Sequence, residues 1–309
     1  MVNTLTPNSI DEIAQIVKDA PGPVVFDAQS APHPFGLPTV YRQSRLNRGA
    51  VTDAIGLENF TAISLQEYSG VIEHDVDDQV VVVRAGTTVT QLQSELAKVN
   101  QCLPYAMFEP RLAQATAHFY GSLIDEIGFN LPHGLSAQCG SWRDWVLGMR
   151  VVTADGTIAK CGSKAVKNVA GYDVQKLMIG ARGTLGLIAE VTLKTFPLKA
   201  LPKPEMQFFP GAEVKAANWI QRVLPTDFQK AVSAHQPHLI AVDPCSCVLW
   251  AAAPGNESLQ RFSEDWVVRA GVGERNLEFT DLTVIKLMER AKQLFDPENK
   301  LNPGEMGIC

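Results

Sequence analysis

No cysteine pair in this sequence stands at C-x-x-C spacing, although six cysteines occur, at Cys102, Cys139, Cys161, Cys245, Cys247 and Cys309. A zinc or iron–sulfur site built from this chain alone is therefore not expected, and reduced thiols of a cytoplasmic protein are. Positive charge is also short. No run rich in lysine or arginine is present and the net charge is −6, which argues against nucleic acid and against an anionic membrane surface. No apolar stretch approaches the ~18 residues that cross a bilayer, so no membrane span is expected. Residues 1–17 carry neither a basic n-region nor a long apolar segment and do not read as a secretory signal. Repeats and low-complexity segments are missing too. What remains is ordinary: 46% hydrophobic and 19% charged over 309 residues, the make-up of a soluble globular protein with room for two domains or one large one.

Ser9-Ile10-Asp11-Glu12 has capping-box spacing ahead of Ile10, Ile13, Ile16 and Val17, which share one face and predict a helix. Pro21-Gly22-Pro23 predicts a turn into a short strand at Val24–Phe26. Strands are predicted over 61–65, 70–73 and 80–84. Thr88-Val89-Thr90-Gln91 is a second capping box, opening a helix with Val89, Leu92, Leu96 and Val99 inward. Residues 103–139 show no clear period and read as loop with one short helix. Residues 146–153 and 157–160 read as a hairpin whose Asp155-Gly156 turn supplies the positive φ it needs. Asp173 is placed to cap a short helix over 174–179, closed by Gly180. Residues 187–196 alternate as a strand that Pro197 ends. Residues 197–204 (PLKALPKP) read as a linker. Beyond them the pattern predicts a strand over 205–209, a helix over 212–224, strands over 239–242 and 247–252, and helices over 258–270 and 281–295. Strands and helices mix without regular βαβ alternation, which favours α+β.

The densest cluster of unusual residues is Ser163–Ile188, with Gly171 and then Gly180, Gly183 and Gly186 at G-x-x-G-x-x-G spacing. Glycines so regular, just before a buried strand, mean that the backbone turns with positive φ or lies against something such as a phosphate or a flat ring. Plain turn and packing glycines are an equal reading. The order here is helix, glycines, strand, unlike the dinucleotide fingerprint, which follows a strand and opens a helix.

Lys167-Asn168-Val169-Ala170-Gly171-Tyr172-Asp173, then Leu177, Gly180, Gly183-Thr184-Leu185-Gly186, Ile188 and Glu190-Val191-Thr192-Leu193-Lys194 closely resemble the signature of the FAD-binding subunits of bacterial glycolate oxidase. These belong to the p-cresol methylhydroxylase (PCMH, vanillyl-alcohol-oxidase) type of flavoprotein. Gly140–Gly148 is similar to the segment before the central hairpin of that family, and Phe295-Asp296-Pro297 with Leu301-Asn302-Pro303-Gly304 to its closing motif. The resemblance implies an α+β fold: a PCMH-type FAD-binding domain of two α/β subdomains over 1–200, a small α/β cap over 201–290, and a tail over 291–309 that returns to the first domain. It implies FAD as cofactor, with Ala115, Thr116, Gly121, Ser122, Gly140, Ser141, Asp144, Gly183, Gly186, Leu187 and Ile188 on the cofactor side. The partners it implies are a homologous flavin subunit, an iron–sulfur subunit and a small 2-hydroxy acid, with a cytoplasmic location, peripheral at the inner membrane through those partners.

Two features of the family are absent. Where it carries a glycine-rich loop for the pyrophosphate, Phe26–Pro34 has no glycine, two prolines that cannot donate, and Asp27, which repels an anion. Where it carries a Gly-Gly pair after Ala-Thr, Ala115-Thr116 is followed by Ala117-His118-Phe119-Tyr120. Two readings stay open. In one the chain is the flavin-binding subunit of a 2-hydroxy-acid dehydrogenase, passing hydride or electrons through FAD within a complex. In the other it is a cofactor-free structural subunit with a degenerate flavin site. A stand-alone flavin reductase is a third and weaker reading.

No catalytic residue is identified from sequence and no metal site is expected. His235-Gln236-Pro237-His238 has ligand-like spacing but lacks a third ligand and reads as a polar loop. His118 and His133 fall among the cofactor-side loops, where a structural role is favoured over that of a base. Arg143 is expected to pair with Asp144, and Trp142 and Trp145 to be core or interface aromatics. The helix over 281–295 presents Leu282, Ile285, Leu287, Met288, Ala291 and Leu294, expected to pack on the flavin domain.

Overall fold

Ser9 opens the first helix, α1 (Ile10–Asp19), by accepting a hydrogen bond from the Glu12 amide. The Glu12 carboxylate reaches one residue past the cap, to the amide of Asn8, so the box closes over a slightly larger loop. Ile10, Ile13 and Val17 are buried. In the computed structural model residues 4–27, 60–105, 122–130, 133, 135–164, 173–203, 205–210, 219–252, 259–260, 262, 267–271, 274–278 and 282–303 are described.

Helix α1 connects β1 (Thr4–Leu5) to β2 (Val24–Asp27), and both pair in parallel with β3 (Thr61–Ser64) in a sheet of order β1-β3-β2. A second, antiparallel sheet carries the main core. Its strands are β4 (Val71–Asp75), β5 (Val80–Arg84), β7 (Val146–Val152), β8 (Ile158–Gly162) and β9 (Leu187–Lys194), in the order β4-β5-β9-β7-β8. The hairpin β7–β8 turns at Asp155-Gly156, with Gly156 at φ +82°. Central β9 is buried at its first five positions, Glu190 among them. A short pair, β6 (Gln101–Cys102) with β10 (Phe196–Pro197), closes one end.

Helix α2 (Val89–Ala97) has the complete capping box between Thr88 and Gln91, and it buries Val89, Leu92 and Leu96. Val99, expected on the same face, lies beyond the helix and is exposed. Where one short helix was expected over 103–139, two are found, α3 (Leu123–Phe129) and α4 (Ser136–Cys139), and α5 (Trp142–Trp145) follows at once. The expected helix after Asp173 shortens to α6 (Gln175–Met178). Asp173 bonds the side chains of Gln175 and Lys176 and does not cap.

A third sheet is antiparallel and six-stranded: β11 (Gln207–Phe208), β12 (Trp219–Arg222), β13 (Leu239–Asp243), β14 (Val248–Ala251), β15 (Val267–Gly271) and β16 (Glu274–Glu278), in the order β11-β13-β14-β12-β15-β16. Two expectations fail here. Residues 219–222 and 267–270, read as the ends of helices, are strands, and α7 (Phe228–His235) was not foreseen. The cause in β12 is burial of Trp219, Ile220 and Gln221 in succession. A strand covered on both faces loses the period-two signal that tells it from a helix.

The chain then returns through α8 (Leu282–Phe295). Ala291 and Phe295 lean on the main core, yet Leu282, Leu287 and Leu294 are exposed and the one fully buried residue is Lys292. The apolar stripe of this helix is therefore only partly covered. Leu301 pairs with Val24 beside β2. Among the described residues no helix is long and apolar enough to cross a membrane.

Candidate functional site

The glycine run occupies the turn between α6 and β9. Gly180 closes α6 with φ +86°, Arg182 and Gly183 follow at φ +51° and +74°, and Gly186 leads into β9. The turn also finishes another helix. The last carbonyls of α3 lack partners within their own helix, and those of Ile127 and Gly128 accept from the amides of Gly180 (3.0 Å) and Arg182 (3.1 Å). A Cβ added at Gly183 would lie 2.3 Å from Cζ of Phe26 and 2.9 Å from Nδ2 of Asn302. One added at Gly186 would meet Met178 and Val151 at 3.6 Å, ordinary contact. Thr184, Leu185, Leu187 and Ile188 are all buried.

A second chain segment grips this turn. Lys292 Nζ donates to the carbonyls of Thr184 (2.9 Å) and Leu301 (2.8 Å) and to Asp296 Oδ2. The Asp296 carboxylate also accepts from the amides of Lys300 and Leu301. Burial pushes the Lys292 ammonium below its ordinary pKa, and Asp296 opposes that. Asn302 accepts from the Phe26 amide (3.1 Å) and donates to the Arg182 carbonyl (2.9 Å).

On the other side, Ser141 and Asp144 form a capping box on α5: the Asp144 carboxylate accepts from the Ser141 amide (2.8 Å) and hydroxyl (3.2 Å). Gly140, at φ +81°, has room for no side chain, because a Cβ would lie 2.8 Å from that carboxylate. Arg143 does not pair with Asp144, contrary to expectation. It reaches the Lys176 carbonyl at 3.1 Å, because the cap already holds Asp144. Behind this segment Tyr105, His133, Trp142 and Trp145 form one aromatic cluster, with the His133 and Trp145 rings 4.7 Å apart. Burial holds His133 neutral, its pKa lowered to about 3. His133 Nδ1 accepts from the Leu135 amide at 3.3 Å, which leaves the proton to Nε2, and the Gly140 backbone partly opposes the effect of burial.

Across the main sheet, register sets Arg84 of β5 and Arg150 of β7 on either side of Glu190 of β9. Glu190 accepts from Tyr68 Oη (2.6 Å) and Arg150 Nη1 (3.1 Å). Burial and the bond to Glu190 hold the Tyr68 phenol protonated. His235 ends α7 with Nε2 against the Gln260 carbonyl. Among the described residues no cluster of potential ligands could hold a metal.

The candidate residues from sequence thus separate. Ala115, Thr116 and Gly121 lie outside the described residues, as do residues 28–34. Ser122 is buried and bridges Thr88 just before α3. Gly183, Gly186, Leu187 and Ile188 come together, but the chain's own atoms cover them. Among the candidates that are described, Gly140, Ser141 and Asp144 keep accessible surface. At the glycine run Phe26 and Asn302 fill the space that a side chain on Gly183 would take. Lys292 and Phe26 were passed over in the sequence. The available signal was a lysine four residues before Asp296, between Met288 and Phe295 on one helix face.

Residues 36–162 match the FAD binding domain family. Glycolate oxidase subunit GlcE of Escherichia coli (strain K12) is 32% identical over 130 residues, 42% of this chain and 35% of that protein. D-lactate dehydrogenase of Archaeoglobus fulgidus is 30% identical over 161 residues, 50% of this chain and 33% of that protein. Glycolate oxidase subunit GlcD of Bacillus subtilis (strain 168) is 46% identical over 66 residues, 21% of this chain and 13% of that protein. The chain spans about a third of the length of the first two relatives and less of the third.

Proposed function

We propose that this chain, whose residues 36–162 match the FAD binding domain family, is an FAD-dependent flavin-domain subunit of a multi-subunit 2-hydroxy-acid dehydrogenase of the glycolate oxidase kind. The observation that carries this reading is its similarity to two different glycolate oxidase subunits, over 130 and 66 residues. The implied partners are a homologous flavin subunit and an iron–sulfur subunit, since the chain has no cysteine pattern for a cluster. In this reading residues 1–200 form the cofactor domain, 201–290 the cap and 291–309 the returning tail. Gly140, Ser141 and Asp144 stay on the cofactor side, with Ala115, Thr116, Gly121 and Ser122. Gly183, Gly186, Leu187 and Ile188 become the packed floor.

FAD would supply hydride acceptance when bound, with Gly140, Ser141 and Asp144 the described candidates to line its side of the domain. The test is co-expression with a homologous flavin subunit and an iron–sulfur subunit. Stable co-purification and dye reduction that depends on a 2-hydroxy acid are expected. A chain that purifies alone from that mixture, without flavin, overturns the reading.

A second reading, a subunit retained for assembly with its own flavin site closed, is favoured by one observation: the glycine run is filled by Phe26 and Asn302. It expects co-purification with partners but no FAD uptake by this chain on reconstitution.

A further inference from the structure

Three backbone groups at or beside the glycine run bond to side chains of one distant segment: the carbonyls of Arg182 and Thr184 and the amide of Phe26 are met by Asn302 and Lys292, and within the segment Lys292 also meets the Leu301 carbonyl. The backbone so held is strained, since Arg182 stands at φ +51° next to Gly183 at +74°. A non-glycine residue there persists only when its surroundings over-determine it. The Lys292–Asp296 pair is buried on both sides, with all three ammonium donors and both carboxylate oxygens engaged. An apolar pair of the same shape would commonly be as stable. What the ion pair adds is fixed geometry.

We propose that the segment Lys292–Asn302 is a clasp that positions the cofactor-side backbone. Asn302 ties the Gly183 turn to the end of β2, Lys292 and Asp296 hold Asn302 in place, and the glycine run is the seat of this clasp. Lys292, Asp296 and Asn302 are then positioning residues for FAD, which they do not touch. The effect on FAD rests on the flavin-binding reading above; the clasp itself does not.

The test uses Asn302→Gly, which removes both side-chain bonds while tolerating the positive φ of +41° at this position, and Asn302→Asp, which keeps the acceptor for Phe26 but loses the donor. Leu249→Ala, a cavity in the six-stranded sheet, serves as a control of comparable melting. Hydrogen exchange is expected to rise roughly tenfold or more at Phe26 and Gly183–Leu185 in Asn302→Gly, and to stay unchanged at Met149–Val152. Asn302→Asp is expected to restore protection at Phe26 only. FAD titration followed by flavin fluorescence is expected to weaken about tenfold in Asn302→Gly and not in Leu249→Ala. Unchanged exchange in Asn302→Gly overturns the clasp. Equal weakening in Leu249→Ala overturns its role towards FAD. Protection of the Gly183–Ile188 amides by FAD in the wild type overturns the assignment of the glycines. If the wild type takes up no FAD, the flavin reading fails while exchange still decides the clasp.

Discussion

The five-stranded and six-stranded sheets differ in the polar group buried on a central strand. In the first, Glu190 of β9 is partnered by Tyr68 and Arg150. In the second, β12 encloses Gln221, neither of whose amide atoms has a partner among the described residues. By strand parity Gln221 points the same way as Trp219 and Val223, which belong to the core beneath α7. A partnered buried group specifies geometry, whereas an unpartnered one only costs stability. The two sheets should therefore answer opposite substitutions.

The largest effect is expected from Gly183→Val, which forces a side chain into the Phe26 ring at positive φ. Overpacking and backbone strain together should cost roughly 4 kcal/mol in denaturant unfolding, and a loss below ~1 kcal/mol would mean that the turn can move. Lys292→Met leaves Asp296 buried without its cation and should cost about 3 kcal/mol. A stable variant would place the clasp outside the cooperative core.

Acid should act through His133. Its folded pKa of about 3 lies below the free value of 6.5, so the unfolded chain binds the proton first. Its contribution is complete above pH 6.5 and is lost as pH falls towards 3, by up to ~1.4 kcal/mol per pH unit. Denaturation curves across that window should show this slope, and His133→Gln should flatten it. The smallest effect, with the sign reversed, belongs to the other sheet: Gln221→Leu should gain about 1 kcal/mol. A loss of stability there would show that Gln221 is satisfied in solution.

The first half of the fold was legible because its signals are local. Ser9 and Thr88 announce helix starts by their side chains, and Asp155-Gly156 announces a hairpin by its φ. The six-stranded sheet was not, since Trp219-Ile220-Gln221 is buried on both faces and gives neither period. The site was half legible. The glycine spacing marked a place where backbone lies close to something, but spacing does not say what. At Gly183 the nearest side chains are Phe26 and Asn302, residues 157 and 119 positions away in the sequence. A lone Lys292 looks the same in sequence whether it is solvated or enclosed.

The bond between Phe26 and Asn302 joins residues 276 positions apart, and this sets an order of events during synthesis. At the ~5–20 residues per second of a ribosome, strand β2 waits roughly 14–55 s for the partner that completes its edge. Until then the backbone edge at Val24–Phe26 is open to other strands, and the chain depends on whatever shields it in that interval.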